Sequence, residues 1–576
     1  MKKIIIIVFS FIITIGSGCK KDPLNITPNG RIDLKDIFQD NNQTAAYLNS
    51  CYGNLQQYGG NYFFHTMLAG FSDEAHDNDD PTEGVNSTAW YNGALTPTNN
   101  PLDAGGWNGN YYGGDWSGIR KCNVFLSNID GATVTNASDK SRWKAEAKIL
   151  RAFYYWDLIT RYGPMPIENE AFPTNYDYKE LKRSTFDSCV QFIVRNCDEA
   201  IAEPNMPYRI ITGEPDRARF TKAVAYAIKS EALLFNASPL WNPSNDLSKW
   251  QAAATAAQQA ITDLTTNSNY ALFGDYGSYF ITTPDLNPDP VDKETILEMK
   301  NNTNITQWQF LNGAPSVRAY KAGATPTQEL VDAYEMADGS IPITGYSDAD
   351  HLQPVIDPLS GYDDANPYIN RDPRFYATVF YNGGYYGNIN GGSYSLQSYV
   401  GGADGFLTSD RHYTHNGYYL HKFVNGDLTD QQSSGARTRK FRLAELYLNL
   451  AEAENEANGP TMAAYDAVNK IRARPSVHMP ALGGLSQEQL RDRIHNERRV
   501  EMSFEEARFW DVRRWKILDQ TDKLTTGMKW VKNGSALSNT RVVVDRRNSY
   551  ADKFLIWPIP LSEISVLPEF TQNPGW

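Results

Sequence analysis

The stretch Trp143–Pro166, with the sequence WKAEAKILRAFYYWDLITRYGPMP, decides the fold that this chain predicts. Ser138 and Asp139 precede it and are residue types that cap helix N-termini, and Gly163 followed by Pro164 stops it. Roughly five helical turns lie between these signals without a glycine or a proline. We therefore expect one long helix.

Bulky apolar side chains occur on most sides of this helix. Leu150, Tyr154 and Leu158 recur at four-residue spacing and share one face. A helix that is apolar all round is buried in a large core or in a membrane. Asp157 and Arg161 interrupt the apolar run and are spaced to pair along the helix, which argues against a membrane span. The pattern predicts the central helix of an all-α core.

Length and composition are those of a large, acidic, globular protein. The chain has 576 residues, 41% of them hydrophobic and 21% charged, which is enough for a large core. The net charge of −13 and the lack of a basic run argue against nucleic-acid binding. No apolar run of about 18 residues follows the N-terminal region, so no transmembrane helix is expected.

The N-terminus predicts a secretory signal peptide over residues 1–18. Lys2 and the apolar run Ile4–Ile15 are followed by the small residues Gly16–Gly18 and then by Cys19. This arrangement resembles a lipoprotein cleavage box, in which the cysteine is acylated. We expect a lipid anchor at Cys19 with a polar tether over 19–31. An ordinary signal peptide with a cysteine nearby is the alternative.

The remaining chain predicts two helical blocks with a loop-rich region between them. Residues 32–274 and 441–576 carry helical periodicity, and Ser486 with Gln489 forms a capping box in the second block. Residues 275–440 are rich in Gly, Asn, Tyr and Pro, which predicts loops, short helices and a few short strands. The predicted fold is mainly α, with tetratricopeptide-like helix pairs forming one large domain and a loop-rich inserted ligand-binding region. The further predicted helices are Gln43–Gln57, Ser117–Ile129, Thr185–Ala202, Thr221–Asn236, Lys249–Leu264, Phe441–Asn458, Met462–Arg474 and Leu490–Trp515.

Four cysteines follow Cys19 in the sequence, and all are predicted to be small buried hydrophobic residues. Cys189 and Cys197 are expected on one helix, where eight residues separate them by about 12 Å, too far for a mutual disulfide. Cys51 and Cys122 show no zinc-ligand spacing.

Five motifs together resemble the SusD/RagB family, the surface nutrient-binding lipoproteins of Bacteroidetes-type bacteria. This resemblance implies an α-helical fold with four tetratricopeptide-like pairs and a loop-rich binding region. It also implies a protein that is exposed at the cell outer membrane, binds without catalysis and works with a TonB-dependent SusC-like transporter. The motifs are Glu146–Leu158 with Tyr162–Pro166, Arg442–Ala453, Val468–Arg474, Ile494–Trp515 and Trp557–Trp576.

Two charged stretches have a functional and a structural interpretation. Glu497, Glu501 and Glu505 could serve a glycosidase, but their four-residue spacing among arginines favours a structural ion-pair network. The acidic stretch 72–80 (SDEAHDNDD) could bind Ca²⁺, but it lacks the EF-hand pattern. We predict no cofactor and no metal, with Ca²⁺ as the alternative. The eight histidines show no metal-ligand spacing.

Aromatic residues in loop-like sequence are the remaining functional signal, and they include the pair Tyr385-Tyr386. Aromatic faces stack on the apolar faces of sugar rings, and neighbouring Asn and Asp side chains bond the hydroxyls. Each ring could instead pack a loop onto the core. The candidate ligand-binding residues are Asp73, Trp90, Asn92, Trp107, Tyr111, Tyr112, Trp308 and Tyr320.

The resulting hypothesis is a surface nutrient-binding lipoprotein that captures oligosaccharide or polysaccharide and delivers it to a SusC-like transporter. Binding of peptide or glycoprotein fragments on the same scaffold is the alternative. A glycoside hydrolase is a remote alternative, because no hydrolase motif accompanies the many carboxylates.

Overall fold

The computed structural model describes most of the chain beyond the N-terminal region. The described residues are 33–55, 67–78, 90–100, 102–103, 111–173, 175–210, 218–281, 292–298, 311–318, 322–389, 391–428 and 438–576. Cys19 and its predicted lipid anchor therefore lie outside them.

The predicted central helix is present and is longer than expected. It spans Ala137–Tyr162 and is capped by Asn136, whose side chain accepts a hydrogen bond from the backbone N–H of Ser138. The prediction of Ser138 or Asp139 as the cap was wrong by two residues, because Ser138 donates to the cap instead. The helix ends at Gly163, whose φ of +72° suits glycine. The predicted pair of Asp157 and Arg161 forms in the interior.

The described residues of the first helical block form seven α-helices. Each helix from α3 to α7 packs against the next along the chain. They are α1 (Leu34–Phe38), α2 (Asn41–Cys51), α3 (Tyr111–Asn128), α4 (Ala137–Tyr162), α5 (Phe186–Ile201), α6 (Lys222–Ala237) and α7 (Leu247–Ser268).

A close approach between α3 and α4 explains one glycine in this block. A Cβ atom on Gly118 would lie 2.5 Å from the ring of Tyr154, inside van der Waals contact. Tyr154 is fully buried and its hydroxyl donates to the carbonyl of Cys51. The absence of a side chain at Gly118 thus lets the central helix pack against α3 and the end of α2.

The loop-rich region separates two helices that are neighbours in space. Helix α7 packs along α12, which begins at Leu443, so the two form one helix pair with the insertion between its members. Where the structure describes this region, its helices are α8 (Tyr276–Tyr279), α9 (Pro315–Arg318), α10 (Gln328–Ala333) and α11 (Pro373–Thr378). The mainly α prediction with tetratricopeptide-like pairs is confirmed, whereas the domain boundaries stay a prediction.

All strands of the described residues form two-stranded antiparallel sheets. The pairs are β1–β3, β2–β10, β4–β5, β6–β9, β7–β8 and β11–β12. The strands are β1 (Ala75–Asp77), β2 (Thr295–Glu298), β3 (Ala324–Pro326), β4 (Ile343–Tyr346), β5 (Pro354–Ile356), β6 (Val379–Phe380), β7 (Tyr385–Ile389), β8 (Gly392–Ser395), β9 (Tyr419–Leu420), β10 (Arg439–Arg442), β11 (Leu524–Asn533) and β12 (Ala536–Arg546).

The C-terminal block differs from its prediction in two ways, and the first is a helix break. The single helix expected over Leu490–Trp515 is two helices, because the buried Lys422 and Arg442 donate to the carbonyl of Glu501 and satisfy the end of the first. Phe504, with φ +59°, then turns the chain. The helices of the block are α12 (Leu443–Asn458), α13 (Met462–Arg472), α14 (Gln487–Glu501), α15 (Ala507–Arg514), α16 (Leu518–Thr521) and α17 (Leu561–Ile564).

The second difference is the long hairpin of β11 and β12, which the sequence analysis missed. Asn533 pairs with Ala536 across a turn that contains Gly534 at φ +62°. A sequence Asn-Gly between two runs of β-forming residues is a hairpin signal that could have revealed it. The capping box of Ser486 and Gln489 on α14 is confirmed.

The four described cysteines are buried and free, as predicted. Cys189 and Cys197 share α5. Burial raises the pKa of the Cys189 thiol to about 11, so this thiol is protonated at neutral pH.

A buried network of charged side chains joins the loop-rich region to the C-terminal block. Glu501 lies at its centre, with carboxyl oxygens 2.8 Å from Arg442, 2.8 Å from Arg474 and 3.0 Å from Arg374. The structural interpretation of Glu497, Glu501 and Glu505 is confirmed, although their partners come from other elements rather than from their own helix. The connected members are Glu294, Glu335, Asp372, Glu497, Glu501, Glu505, Arg374, Lys422, Arg442, Arg472, Arg474 and Arg493.

Candidate functional site

Asp73 occupies a buried ion pair rather than a binding surface. Its two carboxyl oxygens accept from Arg508 Nε and Nη2 at 2.8 Å each, and Arg499 Nη2 adds a third bond at 2.8 Å. Burial alone would raise the pKa of Asp73, but the two arginines lower it to about 2. The side chain is 3% exposed. The prediction of Asp73 as a ligand contact was therefore wrong, because the side chain is buried and its carboxylate pairs with two arginines of the fold.

Three of the predicted aromatic residues are core residues. Trp90 has no exposed surface and packs with Phe71, Phe509 and Phe554. Its ring offers no free face to a ligand.

Tyr111 and Tyr112 open α3, which begins six residues before the predicted start at Ser117. The guanidinium of Arg161 lies 3.9 Å from the centre of the Tyr111 ring, and Tyr112 packs edge-on against Tyr162. Both rings are buried. The prediction of Trp90, Tyr111 and Tyr112 as ligand-stacking rings was thus wrong, and the alternative, in which the rings pack the core, holds for all three.

The four remaining predicted residues are Asn92, Trp107, Trp308 and Tyr320. Asn92 is exposed and stays a prediction. Trp107, Trp308 and Tyr320 lie outside the described residues.

An exposed aromatic ring lies in a polar setting in the described part of the loop-rich region. Tyr385 is 55% exposed and is the only Tyr, Trp or Phe of the described part of this region among the exposed large hydrophobic side chains. It starts β7, and the bulge between Tyr385 and Gly387 changes the register with β8. The alternation of the strand puts Tyr386 on the opposite face, where its ring stacks on Phe380 at 4.3 Å.

Asp427 and Asn388 complete a surface group with Tyr385. The Asp427 Oδ1 atom accepts from the backbone N–H of Asn388 at 2.7 Å, from Asn388 Nδ2 at 3.3 Å and from the Tyr385 hydroxyl at 3.3 Å. All three side chains are exposed. An aromatic face beside a carboxylate and an amide is the combination that binds sugar rings and their hydroxyls. We call Tyr385, Asn388 and Asp427 the Tyr385 group.

Two glycines hold the Tyr385 group together. A Cβ atom on Gly387 would lie 2.3 Å from the backbone of Gly426, and one on Gly426 would lie 1.8 Å from the carbonyl oxygen of Tyr386. The segment that ends in Asp427 can therefore reach the hairpin only because neither residue has a side chain.

The hairpin of β7 and β8, which carries Tyr385, also contacts the stretch that precedes Tyr320. The backbone N–H of Ala314 donates to the Tyr386 hydroxyl at 3.2 Å, and Ser316 and Tyr394 both bond the buried carboxylate of Asp404. The hairpin is thus tied to residues 311–318. No spacing rule joins Tyr385 to Asp427 in the sequence. The local signal was the paired tyrosines in the glycine- and asparagine-rich stretch YNGGYYGN.

A second group of aromatic rings is accessible in the first helical block. Phe172 and Tyr176 stack at 3.9 Å, and Tyr178, 39% exposed, packs edge-on against Tyr176 at 4.9 Å. The rings contact one another, so less ring surface is free for a ligand than at Tyr385.

The acidic stretch 72–80 is built into the fold as far as it is described. His76 and Asp77 belong to β1, and Glu74 is fully buried, whereas Asp79 and Asp80 lie outside the described residues. Within the described ranges, no group of three or more His, Cys, Asp or Glu side chains is placed to hold a metal ion. Binding of Ca²⁺ by this stretch stays the alternative to the prediction of no metal.

Two family models and a curated relative match this chain. A family model described as "SusD family" matches residues 293–576, and one described as "Starch-binding associating with outer membrane" matches residues 36–234. The SusD-like protein P25 of Formosa agariphila is 24% identical over 475 residues, which are 79% of this chain and 76% of the relative.

Solved structures agree with these matches. A SusD-like protein from Bacteroides fragilis is 25% identical, with a TM-score of 0.76, and the alignment covers 95% of this chain and 99% of the other. A SusD-like carbohydrate-binding protein from the same species is 22% identical, with a TM-score of 0.69 over 92% of this chain and 99% of the other, and this likeness shows the fold alone. None of the helices in the described residues is long and apolar enough to cross a membrane.

Proposed function

This chain belongs to the SusD family, and from that premise we propose that it captures oligosaccharide or polysaccharide at the cell surface. It passes this cargo to a TonB-dependent SusC-like transporter in the outer membrane. It binds without catalysing a reaction and is held at the membrane by a lipid on Cys19. The support is the match of family models to both helical blocks, one of them to a family described as starch-binding and associated with the outer membrane.

The observation that carries the carbohydrate assignment is the Tyr385 group. Its exposed ring can stack on a sugar face, while Asp427 and Asn388 bond hydroxyls. Asp427 Oδ2 takes part in none of the three bonds within the group, so it can accept from a sugar hydroxyl.

The binding experiment is a calorimetric titration of the soluble protein starting at Lys20. The ligands are plant, host and microbial glycans together with a casein peptide digest. Binding to one glycan class supports the proposal. Binding to peptide alone would replace the cargo by peptide or glycoprotein fragments and leave the scaffold assignment intact. Release of reducing sugar from any glycan would contradict the non-enzymatic assignment.

We expect Tyr385→Ala to weaken binding of the glycan by roughly 5- to 30-fold, the effect of removing an aromatic anchor worth about 1–2 kcal/mol. The residue is exposed, so the thermal unfolding temperature should not change. Tyr178→Ala is the matched control, because it also removes an exposed tyrosine but from the first helical block. Weaker binding by Tyr178→Ala with Tyr385→Ala unchanged would move the site to Phe172, Tyr176 and Tyr178.

Membrane attachment gives a separate prediction. Cys19→Ala should release the protein from the outer-membrane fraction, because the anchor consists of the acyl chains on this cysteine. The measurement is fractionation of cells followed by immunodetection, with Cys51→Ala as the control cysteine, which is buried within the fold. A Cys19→Ala protein that stays surface-bound would disprove the lipid anchor.

A further inference from the structure

Two histidines that are 339 residues apart in sequence meet at the side of β1. His76 Nε2 lies 3.3 Å from His415 Nδ1. His76 is nearly buried and His415 is half-buried. The backbone N–H of His415 donates to Asn78 Oδ1 at 2.8 Å, so the segment that carries His415 is tied to the end of β1.

In each ring, the outer nitrogen, which is the one that faces away from the other histidine, has a partner that can only accept a hydrogen bond. His76 Nδ1 lies 2.6 Å from Asp545 Oδ2, and the guanidinium of Arg547 lies 3.6 Å from the same oxygen. His415 Nε2 lies 3.3 Å from the backbone carbonyl oxygen of Asp410. A carboxylate and a carbonyl both require a proton on the histidine nitrogen that they face.

The inner nitrogens are then left as lone pairs that face each other. In the neutral rings, the proton on His76 is on Nδ1 and the proton on His415 is on Nε2. Two lone pairs at 3.3 Å repel each other unless a positive group lies between or beside them.

From this arrangement we infer a binding site for a divalent transition metal ion, with His76 Nε2 and His415 Nδ1 as its protein ligands. Two nitrogens bound tetrahedrally to zinc at about 2.0–2.1 Å lie about 3.3–3.4 Å apart, which matches their separation of 3.3 Å. Imidazole nitrogen suits Zn²⁺, Cu²⁺ and Ni²⁺ rather than Ca²⁺ or Mg²⁺.

The surroundings of the pair resemble the outer shell of known metal sites. A metal-bound histidine usually donates its other N–H to a carboxylate or a carbonyl, and Asp545 and Asp410 supply one of each. Water would fill the remaining coordination positions, since no third protein ligand joins the pair in the described part of the chain. The site does not depend on the proposed glycan binding, because neither histidine belongs to the Tyr385 group.

The test is titration of the untagged soluble protein with ZnCl₂ by calorimetry, so that a polyhistidine tag cannot contribute. We expect one Zn²⁺ per chain in the wild type and its loss in His76→Gln and in His415→Gln. Asp545→Asn should weaken binding by about 10- to 100-fold, since this carboxylate orients the ligand without touching the metal. His478→Asn is the control, because His478 is exposed and asparagine tolerates its φ of +48°.

Titration with Cu²⁺ in place of Zn²⁺ reports directly on the metal ligands, so its result would not change if the two histidines had only a structural role. The electron paramagnetic resonance spectrum should show two nitrogen ligands in the wild type, and this two-nitrogen signal should be absent in each histidine variant. Circular dichroism and thermal unfolding of every variant serve to distinguish loss of metal binding from loss of folding. Lack of stoichiometric Zn²⁺ binding by the wild type, or wild-type binding by both histidine variants, would overturn the site. A single proton shared by the two rings in a nitrogen-15 NMR titration, without metal binding, would overturn it in favour of an imidazolium pair.

Discussion

Glu501→Gln is expected to lower the free energy of unfolding by about 3–5 kcal/mol, the usual cost of breaking a buried ion pair on one side. Glu501 has no exposed surface, and its carboxylate neutralises Arg374, Arg442 and Arg474 at 2.8–3.0 Å. Glutamine keeps the volume but removes the charge, so three buried guanidinium groups lose a shared counterion. Urea unfolding followed by circular dichroism at pH 7 measures the change.

The matched control is Asp350→Asn, which removes a carboxylate from the exposed pair with Arg546. Solvent screens that pair, so we expect a change below about 1 kcal/mol. Equal losses for Glu501→Gln and Asp350→Asn would show that burial of the Glu501 network does not determine its contribution.

Glu74→Gln is expected to change how stability depends on pH. Glu74 is fully buried. Burial, with a smaller contribution from the neighbouring charge of Asp73, raises its pKa from 4.5 to about 8. The folded protein therefore holds this carboxyl in the neutral form at neutral pH.

The direction of the effect follows from which state binds the proton more tightly. The folded state does, so unfolding releases a proton between pH 4.5 and about 8, and the free energy of unfolding falls as pH rises through that window. The loss is about 5 kcal/mol when the whole window has been crossed. Glutamine does not ionise, so Glu74→Gln should lack this loss.

The measurement is urea unfolding of wild type and variant at pH 5 and pH 8.5. The advantage of Glu74→Gln over wild type should grow by a few kcal/mol between the two pH values. Glu170→Gln, at an exposed position, should show no such growth. Parallel pH dependence for wild type and Glu74→Gln would contradict a neutral Glu74.

The amino-acid sequence by itself determined the features that depend on neighbouring residues. The central helix follows from a periodic apolar run bounded by a cap and a glycine, and the capping box at Ser486 follows from residues three positions apart. Burial of Cys189 and Cys197 on one helix likewise follows from local spacing. The resemblance to the SusD family, carried by motifs spread along the chain, was also available from the sequence.

Exposure of the aromatic residues was decided by the tertiary structure. Trp90 and Tyr385 both occur in sequence that reads as loop, yet Trp90 packs against three phenylalanines and Tyr385 faces solvent. Loop-like composition reports the lack of helical periodicity, and it carries no information on which side of the chain the core lies. For this reason the sequence analysis included three buried rings, Trp90, Tyr111 and Tyr112, among its candidate ligand-binding residues.

Partners that are distant in sequence were also decided only by the tertiary structure. Asp73 pairs with Arg508, Glu501 with Arg374, and His76 with His415. A carboxylate or an imidazole has the same local sequence signature whether it is solvated, paired or ready to bind a ligand. Its chemistry is set by the charges and donors within a few ångströms, and folding brings these together from segments that no spacing rule connects.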